Sequence, residues 1–155
     1  MKKICDVIEA IVRWVGTILF ATMISVVFYE VVMRYVFNSP TFWSEALARD
    51  AMIWLVMLGL ARGVRNMDNI RVDFLIGHMP EWQQKAAAWI RFAMLICFSF
   101  VMVYHGFLLA IGNRNQIATG FGISVMFIYI AVPVSGVLIL LFALELILKR
   151  ETRPF

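Results

Sequence analysis

Five ionisable residues lie close together in an otherwise apolar stretch of the sequence: Glu30, Arg34, Glu45, Arg49 and Asp50. Glu30/Arg34 and Glu45/Arg49 are each four residues apart, a spacing that puts both members of a pair on one face of a helix. Between them stands Asn38-Ser39-Pro40-Thr41, built from turn-forming residues. The two segments therefore read as an antiparallel hairpin with its charges near the turn. Arg34 and Glu45 share one depth, and Glu30, Arg49 and Asp50 lie about one helical turn further in. Matched depth and opposite sign predict Glu30 against Arg49 and Arg34 against Glu45, with Asp50 left for another partner. Such a set could snorkel or pin the hairpin's register, offer a polar surface to a second protein, or carry protons or ions. The charges gather at one end of the segments, which disfavours the last reading.

Other residues capable of chemistry are few. Glu145 and Lys149, again four apart, read as an interfacial pair. Cys5 and Cys97 stand outside any CxxC or CxxH pattern, so neither a disulfide framework nor a structural zinc site is expected. A bis-histidine haem would need both rings at membrane depth on facing helices. His78 falls in a polar connector, and His105 reads as a satisfied intramembrane donor. The sequence carries no HExxH, GxSxG or Walker loop, nor the paired Gly-broken helices from which secondary transporters build midplane substrate sites. No catalytic, substrate-binding or metal-ligating set is therefore expected in this chain, and the ten methionines read as packing.

What positions the charges follows from composition. Of 155 residues, 63% are hydrophobic and 15% charged, with a mean hydropathy of +0.85. Soluble domains are about 45–50% apolar and about 25% charged, and one this small could not hide so much apolar surface. A soluble enzyme or nucleic-acid-binding module is excluded. The expected fold is an all-α integral membrane protein, a single domain over residues 1–155 with four transmembrane helices.

Runs free of Asp, Glu, Lys and Arg extend over Trp14–Tyr29, Ala51–Ala61, Phe92–Asn113 and Asn115–Leu144. A span takes roughly 20 apolar residues. The last two qualify directly, and the first does once its flanking charges snorkel. The second is too short unless charges enter the membrane. The predicted helices are Val12–Val36, Phe42–Val64, Gln84–Ile111 and Ser124–Leu148. Ser39 is expected to cap the second, with Pro40 at its first position. The polar connector 66–82 includes Ile70–Gly77, which suits the membrane interface, and Pro80 is expected to start the third helix. Pro133, with Ser135 and Gly136, predicts a kink in the fourth. The glycines of the last two helices allow close approach, although no GxxxG motif is read there. Trp14–Tyr29 resembles a signal-peptide core, but no small-x-small cleavage site follows. It is read as an uncleaved span.

Arginine and lysine give the orientation. Eleven of the 14 basic residues fall on one predicted side: Lys2, Lys3, Arg13, Arg62, Arg65, Arg71, Lys85, Arg91, Lys149, Arg150 and Arg153. Both termini are therefore expected to be cytoplasmic. The net charge of +4 and pI near 9.4 reflect this asymmetry, so nucleic acid is not an expected partner.

With the charged hairpin in view, the sequence resembles the small membrane (Q) subunit of the tripartite ATP-independent periplasmic (TRAP) transporters. The matching stretches are Arg34–Pro40 with Asn38 and Pro40, and Trp43–Arg49. Gly59–Arg65, Ile70-Arg71-Val72-Asp73 and Gly122-Ile123-Ser124, with Tyr129 and Pro133, extend the likeness over nearly the whole chain. One departure is Asn69, where the pattern has histidine. The resemblance implies a multi-pass protein of the bacterial inner membrane, surrounded by lipid and bound to a large membrane subunit that carries the substrate and sodium sites. A periplasmic binding protein would deliver a carboxylate- or sulfonate-bearing solute. The small subunit would enlarge the fixed scaffold against which a transport domain moves, and would help dock the binding protein. It would hold no cofactor itself, and Glu30, Arg34, Glu45, Arg49 and Asp50 would face its partners. Two other classes stay open on the residues alone: an independent small oligomeric transporter or channel, and a membrane redox subunit.

Overall fold

The apolar runs form helices, and the charges at their ends decide how far each helix extends. A computed structural model describes residues 2–39, 41–66, 81–117, 122 and 124–151. Within them, α1 is Lys2–Tyr35, α2 Phe42–Asn66, α3 Glu81–Gly112, α4 the single turn Met126–Tyr129, and α5 Ala131–Glu151. The long elements match the four helices expected, with two differences. The first helix begins ten residues earlier than Val12, because Asp6 and Glu9 break the apolar run yet find a partner inside the fold. The fourth divides at Ile130. Pro133 has no N–H to return to Tyr129 and its ring crowds that carbonyl, and the break falls one turn before it.

Lys3–Tyr35, Trp89–Gly112 and Met126–Leu148 are long and apolar enough to cross a membrane. The charges of α2 keep it out of that group. The long helices pack as a row, α1 on α2, α2 on α5, and α5 on α3, so α1 and α3 stand at its two ends. Between them lies a core of Cys5, Ala61, Val64, Met102, Ile139 and Phe142.

The α3–α5 crossing is the tightest part of the row. A Cβ on Gly136 would come within 2.9 Å of Val103 Cγ2 and 3.2 Å of the Ser99 carbonyl oxygen. One on Gly106 would meet Pro133 Cδ at 2.8 Å. Glycine lets the backbones approach here, as small residues do at membrane helix interfaces. Ser135, fully buried between α2 and α5, lies 3.7 Å from Met57 Sδ and donates to the Val132 carbonyl.

Both described connections end in local bonds. Asn38 adopts a left-handed backbone (φ 51°) and the Ser39 N–H returns to the Met33 carbonyl, closing α1. Thr41, not Ser39, directly precedes α2. Its hydroxyl meets that of Ser44 at 2.7 Å, and Ser44 donates back to the Thr41 carbonyl at 2.8 Å. The Ser39 backbone N–H instead helps end α1, and the residue stands three positions before Phe42, too far back to occupy the cap position. After α3, the Val125 N–H bonds the Gln116 carbonyl and the Ser124 hydroxyl bonds that of Arg114. Gly122 supplies the positive φ, +67°, in that loop. Pro40 and the connector positions Asn69, Ile70–Gly77 with Asp73, His78 and Pro80 lie outside the described residues.

Candidate functional site

Two charge sites stand at opposite ends of α2. At its last turn, Arg65 points into the row and reaches two other helices, α1 and α5. Its Nε donates to Glu145 Oε2 at 3.0 Å and its Nη2 to Glu145 Oε1 at 3.2 Å, a two-pronged grip on one carboxylate. Nη1 donates to the Cys5 carbonyl at 3.0 Å and to Glu9, while Nη2 also contacts Asp6. Arg62, one turn back, stands 3.7 Å from Glu9. The guanidinium also sits 5.4 Å from the centre of the Phe142 ring, a cation–π distance.

The spacing explains the convergence. Asp6 and Glu9 are three apart on α1, and Arg62 and Arg65 three apart on α2, so each pair shares a helix face. The side chains of Arg65 and Glu145 are only 5% and 4% exposed. Two charges so buried are tolerated only when paired and hydrogen-bonded, and a planar guanidinium suits that geometry better than an ammonium. Arg65 lies just past the 42–64 span. Burial disfavours its charged form, but the Glu145 and Asp6 hydrogen bonds and the nearby carboxylates outweigh that and raise its pKa above the ordinary value. The cluster binds the first turns of α1, the last turn of α2 and the last turns of α5 at one end of the row. Glu145 is thus a ligand of Arg65 from 80 residues away, while the side chain of Lys149, its partner expected from sequence, lies outside the described residues.

The hairpin end holds the five residues singled out from sequence. They lie in the same region, but the crossed pairing does not form. Arg34 donates to Glu30 at 2.6 Å within α1, and Arg49 Nε stands 3.8 Å from its neighbour Asp50. A bond four residues along one helix needs no alignment of two helices, which is why the local pair wins. Glu45 and Arg49 are exposed, and Asp50 Oδ1 is buried without a hydrogen-bond partner among the described residues. Aromatic contact joins the hairpin instead, with Tyr29 and Trp43 ring centroids 5.8 Å apart.

Other singled-out positions have local roles. Pro133 packs on Gly106, Gly122 and Asn38 hold left-handed turns, and Tyr129 ends α4. His105 is exposed, in edge contact with Tyr104. Among the described residues no three His, Cys, Asp or Glu side chains are grouped to hold a metal ion. Sequence reading missed the Arg65 cluster because its arginine counted as a topology signal. The available clue was the matched spacing of Asp6/Glu9 and Arg62/Arg65. It also passed over Gly59 and Gly63, a GxxxG in α2.

Comparison with known proteins gives one consistent answer. The chain is 29% identical over 134 residues to the sialic acid TRAP transporter permease protein SiaT of Haemophilus influenzae, a match covering 86% of this chain and 22% of that protein. It thus spans about a fifth of that longer relative. Similarity to the sialic acid TRAP transporter small permease protein SiaQ of Vibrio cholerae is 26% over 151 residues, covering 94% of this chain and 82% of the relative. The C4-dicarboxylate TRAP transporter small permease protein DctQ of V. cholerae is 32% identical over 76 residues, 49% of this chain and 33% of that one. Residues 23–153 match the family of tripartite ATP-independent periplasmic transporters, DctQ component. This multi-pass membrane chain belongs to that family, the small permease subunits of a class of transporters rather than of enzymes.

Proposed function

We propose that the chain is the fixed scaffold subunit of a sodium-coupled TRAP importer of organic acids in the bacterial inner membrane, with both termini cytoplasmic. It pairs there with a large permease subunit, and a periplasmic binding protein delivers the solute. Sodium and solute are handled by the large subunit. The observation that carries this reading is the way Arg65 is used. The most deeply buried cation of the described residues is committed to three carboxylates and a backbone carbonyl, tying helices together. A group held that way fixes a frame and is not available to a moving solute. The relatives named for sialic acid and C4-dicarboxylates support a carboxylate-bearing substrate. Glu30, Arg34, Glu45, Arg49 and Asp50 provide the polar end that meets partner proteins.

Reconstitution tests the proposal. Proteoliposomes holding this chain alone should take up no organic acid. Adding the large subunit and binding protein, with an inward sodium gradient, should restore uptake. Transport by the chain alone would favour an independent oligomeric transporter and refute the scaffold role.

A further inference from the structure

The inner face of α2 is fully used. Ala46, Ala51, Leu58, Ala61, Val64 and Arg65 are buried along it. Its opposite face carries Glu45, Arg49, Met52, Val56, Gly59 and Gly63 at helical spacing, all exposed, with Leu60 at the margin. A Cβ added to Gly59 or Gly63 would meet nothing within 4 Å. The two glycines thus leave a shallow groove at the inner half of α2, although glycine weakens a helix interior and no packing among the described residues requires either one. At the outer half of the same face the Arg49 side chain is 62% exposed. Lipid chains gain nothing from a glycine gap and accept a guanidinium poorly. A second helix makes use of both features, approaching closely over the glycines and offering a polar residue to Arg49.

We infer that this face of α2 seats one transmembrane helix of the large permease subunit, a helix bearing an acidic or amide side chain opposite Arg49. The inference rests on the scaffold reading above and names the surface through which it operates. Two observations select this occupant. In the SiaT relative, sequence of this kind makes up 22% of one longer permease chain, so the remainder of such a permease is its neighbour. A second copy of this chain fits worse. Two parallel α2 helices meeting over Gly59 and Gly63 would set Arg49 against Arg49 and Glu45 against Glu45, and like charges facing each other repel.

Photo-crosslinking in the co-expressed complex tests this. A benzophenone amino acid in place of Val56 should give a covalent adduct with the large subunit. The same probe in place of Val101, on the outer side of α3, should give none. Gly59→Leu with Gly63→Leu should lower recovery of the large subunit with the tagged chain at least tenfold. Adducts from position 56 to a second copy or to lipid only, equal adducts from position 101, or undiminished recovery of the double variant would each overturn the surface. If the wild-type chain and the large subunit co-purify while position 56 gives no adduct, the surface alone falls. If they never co-purify, the scaffold reading falls with it.

Discussion

Arg65 and Glu145 are 80 residues apart in sequence and 3.0 Å apart in the fold, each the other's closest buried counter-charge. Removing one member leaves the other charged and buried, which costs about 3–5 kcal/mol, whereas replacing both with apolar residues is often neutral or better. Arg65→Met and Glu145→Met should each lower the melting temperature of the purified protein sharply. The double variant should recover most of the loss, although Asp6 and Glu9 then lose their arginine. Additive losses in the double variant would show that the two residues are not coupled.

Two glycines of similar appearance should behave in opposite ways. Gly136→Ala forces a methyl group into Val103 and the Ser99 carbonyl, so overpacking should destabilise by about 1–3 kcal/mol. Gly16 has open space around it, and Gly16→Ala should stabilise α1 by about 0.5–1 kcal/mol. Thermal unfolding in detergent compares the two directly, and a Gly136→Ala protein as stable as wild type would contradict the close α3–α5 crossing.

At the hairpin turn the backbone sets the requirement. Asn38 holds φ 51°, a region that costs a β-branched residue about 1–2 kcal/mol. Asn38→Val should lose about that much stability, while Asn38→Gly should match or exceed wild type. Melting curves should therefore place Asn38→Val below wild type and Asn38→Gly at or above it.

The exposed charges of α2 should matter to transport rather than to folding. Arg49 and Glu45 make no close ion pair with α1, and exposed charges contribute at most about 1 kcal/mol. Arg49→Ala and Glu45→Ala should leave the melting temperature within a degree or two but reduce solute uptake several-fold in the reconstituted three-component system. Solute binding to the isolated periplasmic component should not change. Full uptake in both variants would remove these residues from any partner surface.

The legible and illegible parts of this protein divide on a physical line. Three of the four long helices could be read because a bilayer demands long apolar runs, and Trp14–Tyr29, Phe92–Asn113 and Asn115–Leu144 satisfy that demand locally. The turn at Asn38 could be read for the same reason, as turn chemistry is local. The Arg65 cluster could not. Its members come from residues 5–9, 62–65 and 145, and only the order in which the helices pack decides that they meet. Near the hairpin turn the sequence offered two partners for each charge. Depth matching favoured the crossed pairs, but the i,i+4 contact of Glu30 with Arg34 required nothing from tertiary structure and prevailed. The glycines at 59 and 63 were visible in the sequence, but only the structure shows that among the described residues no helix lies over them.

The packing order of the helices also bears on how the protein is made. α5 leaves the ribosome after α2 and α3, yet it lies between them. The α1–α2 hairpin can form as it emerges, but α3 has no partner in the row until α5 arrives. Until then Arg65 has only Asp6, Glu9 and the Cys5 carbonyl, and lacks its two-pronged carboxylate. A nascent chain stalled after α3 therefore exposes an arginine whose Nε–H lacks its acceptor and a solitary apolar helix, features that a membrane protease or chaperone could recognise. The insertion of α5 removes both at once.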